Sequence, residues 1–173
     1  MSDCQETTFE VWWHGPYTFE ELKKKKKSAF ARTLKLYAVY GDHPLYGRQV
    51  LTYIGKAVRR DLITRLSEHN LEREPIYVAN VMRFDGWAKS NAIADEDGWD
   101  PKYFLGRDDE EHISRIEELL IYGLWPAGNL RNKNTARHSS QYRIFNTGEL
   151  GSLPPELSGE YMIEKAPLPD EPG

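Results

Sequence analysis

The chain has 173 residues, 39% hydrophobic and 29% charged, the balance of a soluble globular protein with room for one sizeable core. No apolar run approaches the roughly 20 residues needed to span a bilayer, and the single Cys4 excludes an internal disulfide and a thiolate zinc site. A net charge of −4 argues against indiscriminate binding of polyanions, but the charge is segregated. Ten acidic and three basic residues lie between Asp95 and Glu118, whereas Arg131 to Arg143 holds four basic residues and no acid. Lys56, Arg59, Arg60 and Arg65 stand against only Asp61, so a local basic face can meet phosphates. Met1 to Glu6 lacks the apolar stretch of a signal peptide, and with the lone thiol this predicts a cytoplasmic protein.

Phe9 to Trp13 reads as a short aromatic strand ended by Gly15-Pro16. Thr18 with Glu21 three residues on is the start signal of a helix, and the lysines from Lys23 to Lys27 read as its solvated end rather than as a phosphate or targeting contact. Leu34 to Tyr40 and Val50 to Gly55 are β-rich runs joined by turn residues, hence a hairpin with a long loop. Leu62 and Leu66 give helical spacing after Asp61, Glu74-Pro75 breaks it, and Ile76 to Met82 is a third strand. Asp85 to Arg107 has no clear periodicity and reads as a long loop or insertion. From Glu110 to Trp125, Ile113, Ile116, Leu120 and Leu124 define one apolar helix face, stopped by Pro126 and Gly128. Gln141 to Asn146 is a further strand, and the five prolines from residue 153 onward predict a loop-like tail.

Several polar residues on these elements carry chemistry when taken together. Cutting a phosphodiester requires an activated water, neutralisation of the phosphoryl oxygens and help for the leaving oxygen. A single carboxylate such as Glu117 can hold one Mg²⁺ or Mn²⁺ whose other positions are filled by water and phosphate. Arg65 offers a planar fork to a phosphate. His69, one helical turn later, can take a proton from a tyrosine, whose own pKa near 10 requires such help. Singly, each has an ordinary reading as a packed ring, a solvated helix residue or a surface ion pair.

In this order, Ala38-Val39-Tyr40, Tyr53-Ile54-Gly55-Lys56-Ala57, Arg65-x-x-x-His69 and Glu117 with Ile121, Pro126 and Asn129 resemble the motifs of the GIY-YIG nucleases over about residues 34–130. The resemblance implies an α+β domain with a three-stranded antiparallel sheet flanked by helices, one divalent ion, and hydrolysis of DNA. It implies Tyr40 as the general base with His69 sharing its proton. Tyr53 would bond the phosphate or water, Arg65 would stabilise charge, Glu117 would be the metal ligand and Asn129 would support the site. Lys56, Arg131 and Lys133 are the expected further substrate contacts. The chain departs from the family pattern in three respects. Ala38 replaces a glycine, two extra residues precede Arg65 so that Arg59 or Arg60 competes for its role, and the loop from Asp85 to Arg107 is longer than the minimal module needs. The spacing to Ile121, Pro126 and Asn129 favours Glu117 over its neighbour Glu118 as the ligand.

The organisation expected is an N-terminal extension over 1–33, a nuclease-like domain over 34–146 with an insertion at about 85–110, and a proline-rich tail over 147–173. The expected partner is double-stranded DNA, and a double-strand break would call for a homodimer or two sequential nicks. Two other classes compete with the restriction or repair endonuclease reading. One is a non-catalytic nucleic-acid-binding or adaptor module on the same scaffold. The other is an interaction domain presenting Trp12, Trp13, Trp87 or Trp99 to a protein.

Overall fold

The computed structural model describes residues 7–71, 75–84, 104–131, 136 and 139–163. Its elements in chain order are β1 (Thr7–Tyr17), α1 (Phe19–Lys25), α2 (Ala29–Thr33), β2 (Leu36–His43), β3 (Gly47–Lys56) and α3 (Leu62–Glu68). They continue with β4 (Ile76–Arg83), α4 (Glu110–Leu124), β5 (Tyr142–Gly148), β6 (Glu156–Ser158) and α5 (Gly159–Met162). The strands form one sheet in the order β3-β2-β4-β1-β5-β6, antiparallel throughout except where β1 meets β5.

The α+β class holds, and the sheet has six strands where three were expected. The β3-β2-β4 half is the antiparallel trio of the sequence reading. Three further strands extend it through β1, which pairs with β4 on one side and β5 on the other and does not stop at Gly15-Pro16. It runs from Thr7 to Tyr17, with a register shift between His14 and Tyr17 that absorbs the Gly-Pro pair. Phe9, Val11 and Trp13 alternate into the core, so β1 is an interior strand, paired on one side with β4 and on the other with β5. Trp13 is fully buried and its Nε1 donates to Asn146 Oδ1 at 2.9 Å, so it is not offered to a partner. Trp12 is half-buried, and Trp87 and Trp99 lie outside the described residues.

The tail also departs from expectation. Glu156–Ser158 adds to β5, and Leu157 and Ile163 are buried against the core, so residues 153–163 are part of the fold despite their prolines. The insertion over 85–103 and the last ten residues fall outside the described set.

Both faces of the central strands are covered. Leu36, Ala38 and Tyr40 of β2 face a core built with Ile113, Ile116 and Leu120 of α4. Tyr37 and Val39 face the opposite way, into a second core with Leu22 of α1 and Leu66 of α3. Burial on both faces explains why β2 reads as an unbroken apolar run rather than an alternating one. The α1 cap is as expected: Glu21 N donates to Thr18 Oγ1 at 3.3 Å and Thr18 N to Glu21 Oε2 at 2.7 Å, with Lys23, Lys24 and Lys25 in the last turn. No helix among the described residues is long and apolar enough to cross a membrane.

Candidate active site

The register of the β2–β3 hairpin sets the floor of the site. Tyr37 lies opposite Gly55 and Val39 opposite Tyr53, so Tyr37 and Tyr53 share a face with ring centroids 6.0 Å apart and planes at 17°. A Cβ on residue 55 would overlap Cζ and Oη of Tyr37. Glycine at this position is therefore what allows the Tyr37 ring to pass beneath β3. The Tyr37 hydroxyl is buried; Tyr53 and Arg65 are near enough to affect its proton, yet neither meets it in good hydrogen-bond geometry.

Two helices complete the corner. Asp61 caps α3, its Oδ1 accepting from Thr64 N at 3.1 Å, while Leu62 and Leu66 dock on the sheet. That docking turns Arg65 toward the tyrosines, and its Nη1 is 3.0 Å from Glu68 Oε2. His69, the C-terminal cap of α3, places its ring 5.3 Å from that of Tyr53. From α4, Glu117 brings its Oε2 to 3.1 Å from Lys56 Nζ, which also donates to Ser114 Oγ at 2.7 Å. Beyond α4, Asn129 clamps the middle of β3: Ile54 N donates to its Oδ1 at 2.9 Å, and its Nδ2 donates to Ile54 O at 2.8 Å. Gly128 N adds a bond to Thr52 O at 2.6 Å. Asn129 thus covers the outer edge of the strand that carries Tyr53.

Of the expected residues, Tyr53, Arg65, His69, Glu117 and Lys56 come together, with Asn129 behind them. Tyr40 does not join them. It lies an odd number of residues from Tyr37 along β2 and projects from the other face, where its Oη accepts from Ser152 N and Ser152 Oγ, each at 3.2 Å. There it packs edge-on to Tyr77 at 5.1 Å. The hydroxyl that occupies the expected place belongs to Tyr37, which sequence reasoning passed over. The signal that could have found it is the pairing of Gly55 with the bulky residue opposite.

Glu118 also separates from its neighbour: it is buried elsewhere and its Oε2 accepts from Ser139 Oγ at 2.8 Å. Arg59 and Arg60 turn outward, to Glu110 at 2.7 Å and to Glu68. Arg131 is exposed beyond Asn129, and Lys133 lies outside the described residues.

The electrostatics follow from burial. Burial, then the Glu117 charge, pushes the Tyr53 phenol up, with Arg65 opposing. Burial, then Tyr53, pushes Tyr37 up more strongly, again against Arg65. Glu117 is held above the usual carboxylate range by burial, against the pull of Lys56 and Arg65. His69 is pushed down by burial and by Arg65. At neutral pH the corner therefore presents protonated phenols and a neutral imidazole beside the desolvated Glu117 carboxyl group. Among the described residues no three His, Cys, Asp or Glu side chains gather as a ligand group. Glu117 is the one hard donor of the corner. A single carboxylate suits a small divalent ion that keeps most of its waters.

In comparisons with known protein families, curated proteins and solved structures, none matches the chain.

Proposed function

We propose that the protein is a metal-dependent endonuclease of the GIY-YIG type that hydrolyses phosphodiester bonds of double-stranded DNA. The observation that carries this reading is the convergence of Tyr37, Tyr53, Arg65, His69, Lys56 and Glu117 at one corner, drawn from β2, β3, α3 and α4. Glu117 would hold one Mg²⁺ or Mn²⁺, which when bound supplies positive charge to the phosphoryl oxygens and lowers the pKa of its waters. Lys56 must release Glu117 for this to happen, and at 29% side-chain exposure it has solvent to move into.

The other roles follow from protonation. Tyr37 and Tyr53 enter as hydrogen-bond donors that orient the attacking water and the phosphate. Arg65 meets the phosphate through its fork. His69, neutral because its pKa is depressed, is the side chain able to accept the proton that leaves through Tyr53. The base role expected for Tyr40 passes to the Tyr37–Tyr53–His69 group, and Asn129 keeps Tyr53 in register.

One observation favours a second reading, a non-catalytic nucleic-acid-binding module: the Lys56 ammonium already rests on the Glu117 carboxylate. Supercoiled plasmid incubated with Mn²⁺ or Mg²⁺ separates the two. Nicking by the wild type that disappears in Glu117→Gln is the expected result. Intact plasmid with every divalent ion, alongside a retained gel shift, selects the binding module.

A further inference from the structure

Beside the proposed site lies an open depression of about 270 Å³ lined by Lys56, Val58, Arg59, Arg60, Arg65 and Glu110. Lys56 and Arg65 belong to the catalytic corner, whereas Arg59 and Arg60 continue the same wall away from it. Their side chains are 73% and 61% exposed and held by carboxylates, Arg59 Nε to Glu110 at 2.7 Å and Arg60 Nη1 to Glu68. Glu68 also holds Arg65, at 3.0 Å through its other oxygen, so one carboxylate bridges an inner and an outer arginine.

Exposed pairs of this kind contribute little to stability, so the fold itself needs little from them. A carboxylate spanning two guanidiniums has the shape and charge of a phosphate in the same place. We propose that Arg59 and Arg60 bind the backbone phosphate next to the one cut, with Glu110 and Glu68 occupying those guanidiniums until a DNA strand displaces them. The proposal rests on the nuclease reading and adds its substrate register: the strand runs along the depression from Arg65 toward Arg59. Arg59 and Arg60 are substrate-binding residues here, beside Arg65 rather than in its place.

The test is binding of a labelled short DNA duplex by fluorescence anisotropy, without divalent ion, over roughly 50–200 mM salt. Each phosphate neutralised contributes about 0.9 to the slope of log affinity against log salt, so Arg59→Gln/Arg60→Gln, which gives up one phosphate, should flatten the wild-type slope by about 0.9. Glu110→Gln, which removes a competing anion, should bind more tightly than wild type at every salt concentration. Both variants alter exposed or rim side chains, and Glu110→Gln tests the idea in the opposite direction should the double variant fold poorly. A double variant with the wild-type slope, or a Glu110→Gln protein that binds more weakly, overturns the proposal. Plasmid cleavage by the wild type, run in parallel, tells the two failures apart. If the wild type cuts while the slopes coincide, only the phosphate assignment falls; if it neither binds nor cuts, both fall.

Discussion

Two tyrosines three positions apart, Tyr37 and Tyr40, have environments different enough to be separated by removing one oxygen atom. Tyr37 Oη is buried and lacks a well-formed hydrogen bond, so Tyr37→Phe removes an unsatisfied polar atom. It should leave thermal stability unchanged or slightly raised. If that hydroxyl orients the water or phosphate, plasmid cleavage should fall by about 10²-fold or more. Tyr40→Phe instead frees Ser152 N and Oγ at a partly buried site and should cost about 0.5–1.5 kcal/mol while leaving cleavage near wild type. A Tyr40→Phe protein as inactive as Tyr37→Phe would return the base role to Tyr40. Gly55 offers an independent check on the same ring. In Gly55→Ala the new methyl must displace the head of Tyr37 or lift β3. Overpacking of this kind costs about 1–3 kcal/mol, and a shift near 1 Å in a catalytic group costs about 10²-fold in rate. Gly55→Ala combined with Tyr37→Phe should therefore be no less active than either alone. Activity losses that simply multiply would mean that the methyl acts elsewhere.

At the scale of elements, Asn129 is the joint between α4 and β3. Both of its bonds go to the backbone of Ile54, one residue from Tyr53 and one from Gly55. Asn129→Ala leaves that N–H and C=O without their partner on the sheet edge. It should destabilise the protein by about 1–3 kcal/mol and reduce cleavage with it, measured by denaturant unfolding and by plasmid nicking. Full stability in the variant would show that water replaces the side chain and that the clamp is dispensable. The elements this joint connects were the legible ones. Strands β2, β3 and β4 carry long apolar runs, α3 and α4 carry i, i+4 apolar pairs, and Asp61 and Pro126 punctuate them. What was not legible depends on partners distant in sequence. Prolines beside Glu156–Ser158 hid a strand that exists because β5 lends it an edge. Gly15-Pro16 predicts the end of β1, whereas pairing of Tyr17 with Ile76 of β4 carries the strand past it. Tyr40 was taken for the site tyrosine because it closes a three-letter pattern. Only the pairing of Tyr37 with Gly55, a register relation across the hairpin, tells which β2 tyrosine faces Tyr53.

For the molecule as a whole, the corner sets stability against function, and the balance depends on pH. Burial raises the Glu117 pKa above its unfolded value, so the native state prefers the protonated carboxyl more than the unfolded chain does. Its contribution to stability is then fully present below the unfolded pKa, about 4.3, and is lost as pH rises through the higher native value. Once ionised, the carboxylate is a net burden that Lys56 at 3.1 Å and Arg65 only partly offset. Glu117→Gln should accordingly raise the melting temperature near neutral pH, with the gain shrinking to nothing near pH 4. The same variant should abolish metal-dependent nicking. Millimolar Mn²⁺ should raise the melting temperature of the wild type, because an ion that binds only the native state stabilises it by mass action, and should leave Glu117→Gln unmoved. The paired measurement separates function from packing. Burial alone predicts the stabilised variant, so the Mn²⁺ response decides: a merely structural Glu117, paired with Lys56, predicts a wild type that does not respond to Mn²⁺. A Glu117 that ligates an incoming ion predicts a rise in the wild-type melting temperature that is lost in Glu117→Gln.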